Sequence, residues 1–189
     1  MLNNKTYNAI LSVTIILILI VFVKCKDKNN NERQIVKNLI GKKFPLPEEV
    51  VTYNNGELDT ILIQKFDANI KVVSTIDGRC PACVEKLSKK IEAKQNIEQN
   101  ISKEVDYLFF IYTKDFKTFK NEFYPLINSI SCPLIIQNSL SFLEENSLPG
   151  FGVYQTALVI NGKIMLVGDP SISKKLEKLY IDEINKRID

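Results

Sequence analysis

The sequence predicts an α/β domain whose mainly parallel sheet is covered by helices on both faces. Strand and helix patterns alternate through the middle of the chain, and a hairpin pattern stands on each side of that alternation. One strand, Val105–Tyr112, is apolar at almost every position, as expected when both of its faces are covered. The 189 residues are 45% hydrophobic and 25% charged, which suits one globular domain with a short appendage.

The first 25 residues are predicted to be a targeting segment. Ala9–Val23 is an uncharged apolar run with Lys5 before it and Lys24 after it, a pattern typical of a bacterial export signal. An uncleaved anchor and a buried core helix are the alternatives, although the run is short for a spanning helix. Cys25 lies where a lipoprotein signal places its lipidated cysteine, but Lys24 replaces the small residue usually found before it. We expect the chain after Cys25 to lie outside the cytoplasmic membrane, on its periplasmic or extracytoplasmic face, tethered to it.

The rest of the chain is predicted to form a polar spacer with a short helix over residues 26–40 and a single domain over residues 41–189. Two hairpins are expected around Asn-Gly steps, which accept positive φ: Val50–Tyr53 with Leu58–Ile63, and Thr156–Ile160 with Lys163–Val167. The other patterns predict, in order, a strand over Ile70–Ile76, a helix from Pro81 to about Ile101, the strand Val105–Tyr112, a helix over Asp115–Ile127, a strand over Leu134–Ile136, a helix near Ser139–Glu145, and a final helix that Ser171 caps and that runs to about Arg187.

Composition excludes several kinds of site. The chain has no His, so Ser-His and Cys-His nucleophile pairs, His-ligated metal sites and imidazole acid–base catalysis are excluded. The formal net charge is +3, and two of the 25 basic residues, Lys5 and Lys24, lie in the targeting segment. The remaining 23 basic residues almost balance the 22 acidic ones, which indicates no face for nucleic acid. Catalysis would have to use thiol, carboxylate, amine or phenol groups.

Two cysteines, Cys80 and Cys83, are the most informative chemical feature. They stand in a Cys-Pro-Ala-Cys motif that directly follows the strand Ile70–Ile76 and its turn and begins a helix. A helix start presents unpaired N–H groups and a partial positive charge, which stabilise a thiolate at Cys80, and Arg79 adds a nearby cation. Pro81 is tolerated at the first helical position because its missing N–H would be unpaired there. Cys80 is therefore the predicted nucleophile, and Cys83 is the predicted resolving thiol.

Other interpretations of these residues are weaker. Half of a zinc site has the same spacing, but Cys132 is the one further thiol in the domain and no His is present. A purely structural disulfide between positions so close in sequence stabilises little through loop entropy. Cys132 is expected to be a small buried residue, with a third redox thiol as the alternative. Asp77 and Glu85 flank the motif and are expected to be solvated carboxylates, with proton transfer during the attack by Cys83 as the alternative.

The chain resembles the thioredoxin superfamily, and within it the exported, membrane-tethered thiol–disulfide oxidoreductases of the TlpA-like group. The resemblance covers Gly41 to the C-terminus and rests on the strand IKVVSTI, on DGRCPAC at a helix start, on the extra strand and helix around Pro133–Glu145, and on the ending QTALVINGKIMLVGDP with its helix. A closer similarity is to small bacterial lipoproteins of this fold, in which that ending also reads Gln-Thr. The resemblance implies a thioredoxin-like three-layer sandwich with a central mixed sheet and an N-terminal β-hairpin extension.

Two departures from the family pattern concern the site. Gly78 and Arg79 stand where the family usually has an aromatic residue, and Gln155 stands where it has a cis-proline before a threonine. A cis bond before a residue other than proline costs about 2.5–4 kcal/mol, so the bond between Tyr154 and Gln155 is expected to be trans. The resemblance still implies that substrate contacts come from residues around Cys80 and opposite it, namely Arg79, Pro81, Tyr154, Gln155 and Thr156.

The predicted function is that of a thiol–disulfide oxidoreductase that acts on protein disulfides without a cofactor or a metal. Membrane-tethered relatives mostly reduce their substrates and need an electron donor in the membrane, so the analogy favours a reductant. The alternative is a non-enzymatic lipoprotein that keeps the fold as a binding module, which both departures favour. A peroxidase of the peroxiredoxin type is disfavoured because position 77 is Asp, where that family commonly has Thr.

Overall fold

A computed structural model of the protein describes residues 34–54, 56–127, 130, 132–146, 148 and 155–186. The predicted targeting segment, with Cys25, lies outside these residues, as does Tyr154. By its internal contacts the chain divides into Met1–Asn38 and Leu39–Asp189, and the sheet and the site belong to the second unit. Residues 34–39 are helical (α1), and Gly41 follows with a φ of 82°. None of the helices among the described residues is long and apolar enough to cross a bilayer.

Seven strands form one mixed sheet in the described part of the chain. They are β1 (Glu49–Asn54), β2 (Glu57–Leu62), β3 (Ile70–Asp77), β4 (Val105–Tyr112), β5 (Leu134–Gln137), β6 (Thr156–Ile160) and β7 (Lys163–Val167). Their order across the sheet is β2-β1-β5-β4-β3-β6-β7. The strands β3, β4 and β5 are parallel, while the hairpins β1–β2 and β6–β7 add antiparallel strands on the two sides. The predicted mixed sheet is confirmed, and the N-terminal hairpin extends it through the pairing of β1 with β5.

Helices cover both faces of the sheet. The helices α2 (Pro81–Glu98) and α5 (Lys174–Asn185) pack on one face, and α4 (Ser141–Glu145) packs on the other. Neighbouring residues of β4 show the two layers. Phe109 belongs to the core under α2 and α5, whereas the ring of Phe110 stacks on Phe142 of α4 with 4.2 Å between ring centroids. Each face of the sheet therefore has an apolar core, which accounts for the continuous apolar pattern of β4.

The segment predicted to be one helix over Asp115–Ile127 is irregular. It consists of an α-helical turn, α3 (Phe116–Thr118), a π-helical turn (Phe119–Phe123) and a 3₁₀ turn (Tyr124–Leu126). Pro125 explains the irregularity, because proline has no N–H to donate and its ring crowds the preceding turn of a regular helix. The expected helix is therefore present as three short turns of different geometry.

The last helix is capped by a different serine from the one predicted. Ser171 lies inside a 3₁₀ turn (Pro170–Ile172), where its N–H and its hydroxyl both donate to Asp169. Ser173 caps α5 instead, and its hydroxyl oxygen accepts the N–H of Leu176 at 3.2 Å. The prediction of a Ser171 cap was wrong because the N–H and the hydroxyl of Ser171 are hydrogen-bonded to the Asp169 carboxylate.

Candidate redox site

A disulfide joins Cys80 and Cys83 at the carboxyl end of β3, where the chain turns into α2. Cys80 is the N-cap residue of α2, with an extended backbone (φ −110°, ψ 106°). Its Sγ accepts the N–H of Cys83 at 3.3 Å, and Pro81 occupies the first turn of the helix. The atom that caps this helix is therefore a sulfur of the disulfide.

The helix start favours a thiolate at Cys80 once the disulfide is reduced. The Cys80 sulfur occupies the place where a capping oxygen normally accepts an unpaired N–H, so a negative charge there meets the positive end of the helix dipole. Both cysteines are half-buried, but Cys83 packs against the core under α2, whereas Cys80 stands between the exposed residues Arg79 and Pro81. The assignment of Cys80 as the nucleophile and Cys83 as the resolving thiol stays a prediction.

Arg79 forms a close ion pair with Asp77 beside the disulfide. The guanidinium donates to the carboxylate through Nε (2.8 Å to Oδ1) and Nη2 (2.8 Å to Oδ2), and its Cζ lies 4.6 Å from the centre of the Tyr112 ring. The side-chain hydrogen bond from Arg79 holds the pKa of Asp77 below its usual value, against the effect of partial burial. Cys80 therefore has a compensated charge pair next to it, and Asp77 is half-buried and ion-paired rather than the solvated carboxylate that was expected.

Gly78 allows the chain to pass close to β4 between β3 and the disulfide. Its N–H donates to the Tyr112 carbonyl at 2.8 Å. A Cβ on Gly78 would lie 2.7 Å from Ile111 Cγ2 and 2.9 Å from the Tyr112 carbonyl oxygen, so no side chain fits at this position. An aromatic residue cannot occupy position 78 for the same reason. The signal in the sequence is a glycine directly after a buried strand, where a close backbone approach is typical.

The start of β6 lies at the same edge of the sheet as the disulfide. The Gln155 carbonyl accepts the N–H of Thr75 at 2.9 Å, so Gln155 lies beside β3 just before that strand reaches the cysteines. The side chain of Thr156 is buried, and its hydroxyl shares a hydrogen bond of 2.9 Å with the Ser74 hydroxyl. Thr156 therefore cannot offer its side chain to a substrate, whereas Gln155 is half-buried and lies at the expected edge. The remaining residue predicted here, Tyr154, lies outside the described residues.

A buried ion pair that sequence reasoning missed lies under α2. Lys90 Nζ donates to the Asp169 carboxylate and, at 3.0 Å, to the Thr156 hydroxyl. The Lys90 side chain is 7% exposed and the Asp169 side chain is 15% exposed. Ser171 donates its N–H and its hydroxyl to the second oxygen of the same carboxylate. Together with Ser74, these residues form one hydrogen-bonded network that joins β3, β6, α2 and the connection before α5.

Cys132 lies away from the disulfide. Lys94 and Glu98 of α2 are the charged residues that act on it, and Lys94 is about 16 Å along the helix from Cys83. Burial raises the pKa of the Cys132 thiol to about 11, which makes it a poor nucleophile at neutral pH. This favours the small buried residue over the third redox thiol. Glu85 is exposed, as expected of a solvated carboxylate, and the described residues contain no cluster of side chains that could hold a metal ion.

No family model matches the sequence, and no curated protein matches it. Solved structures do match. The "putative protein disulfide isomerase" of Bacteroides thetaiotaomicron superposes with a TM-score of 0.55 at 13% identity, over 78% of this chain and 88% of its own. The exposed lipoprotein thioredoxin of Streptococcus pneumoniae gives 0.51 at 14% identity, over 71% and 98%. AhpC of Enterococcus faecalis gives 0.53 at 13% identity, over 80% and 98%. The fold is thioredoxin-like.

The likeness establishes the fold alone, because the identities are far too low to carry a substrate or a partner. Within it, the predicted thioredoxin-like three-layer sandwich is confirmed, with a disulfide at the helix start that follows a central strand. The structure also shows the surroundings of the two positions, 78 and 155, at which the sequence departs from the family pattern. Gly78 has no room for a side chain, and Gln155 is held through its carbonyl to Thr75 instead of carrying a proline ring.

Proposed function

We propose that the protein is a thiol–disulfide oxidoreductase that acts on protein disulfides through Cys80 and Cys83. The observation that carries the proposal is the disulfide at the start of α2, in which Cys80 Sγ caps the helix and accepts the Cys83 N–H. A cysteine at a helix start loses its proton more readily than a free one, and the thiolate is the species that attacks disulfides. The similar structures named for disulfide isomerase and thioredoxin functions support the same reaction.

The reaction starts from the reduced dithiol. The Cys80 thiolate attacks one sulfur of the substrate disulfide, a mixed disulfide forms, and the other substrate sulfur leaves as a thiolate that takes up a proton from water. Cys83, one turn into α2, then loses its proton and attacks Cys80 Sγ. This second step releases the remaining substrate thiolate and leaves the Cys80–Cys83 disulfide seen in the structure. Two electrons pass from the dithiol to the substrate.

The exposed surface around Cys80 is the proposed contact surface for the substrate. Arg79 and Pro81 are exposed beside the sulfur, and the half-buried Gln155 lies at the same edge of the sheet. Tyr154 is proposed on the sequence resemblance alone. The proposed substrate is a protein that carries an accessible disulfide, because Arg79 and Pro81 on either side of Cys80 are exposed.

We further propose that the domain is a reductant tethered to the outer face of the cytoplasmic membrane. The apolar run Ala9–Val23 and its flanking lysines support the location, as does the name of the similar pneumococcal protein, an exposed lipoprotein. A reductant must be re-reduced after each turnover, so the proposal includes an electron donor in the same membrane. Cys25 is the proposed lipidation site, with an uncleaved anchor as the alternative. The intact mass of the membrane-extracted protein distinguishes cleavage and acylation at Cys25 from an unprocessed chain.

Reduction of insulin in the presence of dithiothreitol, followed by turbidity, tests the proposed activity. The wild-type protein should accelerate precipitation, and Cys80→Ser should lower the rate to that of dithiothreitol alone because the nucleophile is lost. Cys83→Ser should accumulate a mixed disulfide with insulin because no thiol resolves it. Cys132→Ser, which changes a cysteine remote from the site, is the matched control and should keep the wild-type rate. Wild-type activity in Cys80→Ser would overturn the proposal.

The second candidate is a binding module that keeps the fold without the reaction. The glutamine at position 155 favours it, because this edge lacks the proline that the resemblance implies. In that case Cys80 of the reduced protein would react with iodoacetamide no faster than free cysteine at neutral pH. The likeness to AhpC raises a peroxidase as a further option. Position 77 argues against it, because Asp77 is engaged by Arg79, and we expect the reduced protein to consume no peroxide.

A further inference from the structure

The buried network of Lys90, Asp169, Thr156 and Ser74 has no part in the thiol exchange described above. Lys90 lies two helical turns beyond Cys83 on the same side of α2, about 10 Å along the helix axis. Asp169 compensates the Lys90 charge, so the pair as a whole presents little net charge to either sulfur. The network must therefore act through the positions of the groups that it binds.

Core stability alone does not account for the ion pair. Burial lowers the pKa of Lys90 in spite of the Asp169 carboxylate beside it, so the charge is held in an unfavourable place. Apolar side chains of similar volume commonly stabilise a core as well as a buried ion pair does, or better. What the pair provides in addition is directional hydrogen bonding, and Lys90 directs one such bond to the Thr156 hydroxyl at 3.0 Å.

Thr156 connects this network to the edge beside the disulfide. Its hydroxyl is bound from two sides, by Lys90 Nζ and by the Ser74 hydroxyl, which fixes the first residue of β6 against both α2 and β3. The preceding residue is Gln155, whose carbonyl accepts the N–H of Thr75 at 2.9 Å. A glutamine leaves its own φ unrestricted, so the hydrogen bonds of Thr156 add to the β3–β6 pairing in restraining the backbone at this edge.

We propose that Lys90, anchored by Asp169, is a positioning residue that holds the Gln155 backbone beside β3 through the Thr156 hydroxyl. The consequence is a fixed edge next to Cys80, against which a protein substrate binds. That a substrate binds against this edge rests on the proposed function. That Lys90 positions the Gln155 backbone does not.

Amide hydrogen exchange of the full-length protein tests the positioning independently of any activity. Lys90→Met removes the donor and keeps the apolar stem. Loss of the buried pair lowers protection throughout the sheet, so the informative quantity is the difference between sites: we expect protection of the Thr75 amide, which donates to Gln155, to fall about tenfold or more further than that of the β4 amides. Lys94→Met changes a lysine on the same helix that pairs with Glu98, and it should leave Thr75 unchanged.

Two results would overturn the positioning role. One is equal protection of Thr75 in the wild type and in Lys90→Met, and the other is a uniform loss of protection across the sheet, which a merely structural role would give. Thr156→Val, which removes only the hydroxyl and keeps the side-chain shape, provides the same readout if Lys90→Met does not fold. The selective loss at Thr75 is expected there as well.

Steady-state kinetics separates the edge from the redox chemistry. In Lys90→Met we expect KM for insulin to rise about fivefold or more with kcat little changed. The rate with a small aromatic disulfide and the reduction potential should stay at the wild-type values, because both depend on the cysteines, the helix start and the adjacent turn, which Lys90 does not contact. An unchanged KM in Lys90→Met would overturn the substrate role and leave the oxidoreductase proposal intact. Wild-type activity in Cys80→Ser would remove the oxidoreductase proposal, and hydrogen exchange would still decide the position of Gln155.

Discussion

On one side of the disulfide, the charge pair and the helix cap next to Cys80 are made by residues that are neighbours in the sequence, whereas on the other side Gln155 depends on residues far along the chain. Arg79 pairs with Asp77 two positions away, and Cys80 caps the helix that contains Cys83. The residue after Gln155 is instead bound by partners 66 and 82 positions away in the sequence.

The difference separates what a short motif can encode from what requires the assembled fold. A strand, a glycine and a Cys-Pro-Ala-Cys helix start are enough to place a reactive sulfur at the end of a strand. The facing edge exists only when β3, β6, α2 and the connection before α5 have come together. We therefore expect substitutions on the first side to change thiol reactivity, and those on the second side to change stability and substrate binding.

The largest expected contrast is in thiol reactivity. In the fully reduced protein at pH 7, iodoacetamide should alkylate Cys80 about 10²–10³ times faster than Cys132, because the helix start favours the thiolate of Cys80. Burial raises the pKa of Cys132 to about 11, so that thiol is almost fully protonated. Peptide mass mapping over a time course measures both rates in one sample. Equal rates for the two cysteines would contradict the reactive-thiolate account.

The next effect concerns the buried ion pair. Asp169→Asn leaves the 7% exposed Lys90 side chain without its partner charge, and we expect it to lower the free energy of unfolding by about 3–5 kcal/mol. Urea unfolding measures the change. Asp182→Asn is the matched control, because Asp182 forms an exposed ion pair with Lys178, and its loss should cost less than about 1 kcal/mol. Similar losses of unfolding free energy in the two variants would mean that the buried pair contributes no more to stability than an exposed one.

Acid titration provides a second test of the same pair. Burial alone would raise the pKa of Asp169, but the charge of Lys90 and the hydrogen bonds from Lys90 and Ser171 lower it below its usual value of 3.8. A carboxylate with a lowered pKa contributes stability that is fully present above pH 3.8 and is lost as the pH falls through the folded-state pKa. The free energy of unfolding should therefore fall less steeply below pH 3.8 in Asp169→Asn than in the wild type. Parallel curves would contradict this assignment.

A smaller loss of stability is expected on the first side of the disulfide. Gly78→Ala places a methyl group against a β4 carbonyl oxygen and should lower the free energy of unfolding by about 1–3 kcal/mol. Gly162→Ala is a suitable comparison, since its Cβ meets no atom within 4 Å and its cost comes from φ alone. Alkylation rates distinguish the two variants. Gly78→Ala should change the rate at Cys80 because the turn must shift, whereas Gly162→Ala should not.

The smallest effect is expected from the exposed ion pair. Arg79→Ala leaves the Asp77 carboxylate without its partner charge near Cys80, which should raise the pKa of that thiol and slow alkylation at pH 7 about two- to fivefold. Solvent screening keeps the change small because Arg79 is exposed. The pH profile of alkylation measures the shift, and the double variant Asp77→Asn/Arg79→Ala should restore it. A profile that does not move in Arg79→Ala would show that the pair has no influence on the sulfur.

Much of the fold could be predicted because its signals are local. The alternating patterns predict the strands that the structure contains, and the Asn-Gly step after Ile160 adopts the positive φ values that a tight hairpin needs. The three short turns over Asp115–Ile127 had a local signal in Pro125. The cap of α5 had no such local signal. The choice between Ser171 and Ser173 depends on Asp169, and the Asp169 carboxylate is itself bound by a distant lysine.

The candidate site divides in the same way. The reactive sulfur was predictable from contiguous residues, whereas the requirement for Gly78 becomes visible only when β4 lies beside it. Lys90 shows a partial signal, since it lies between Leu87 and Ile91 on the inward side of α2, where a lysine is unusual. Its partner is 79 positions away in the sequence, and no local pattern marks that pairing.

The equilibrium reduction potential of the Cys80–Cys83 pair tests the central claim most directly. The protein is titrated against a dithiothreitol or glutathione couple, and the reduced and oxidised forms are separated after alkylation. The account predicts a reversible disulfide with a potential near that of thioredoxin, about −270 mV, as suits a reductant. A value near about −120 mV would contradict the proposed direction of electron flow. If no reversible disulfide formed between the two cysteines, the oxidoreductase account would be contradicted.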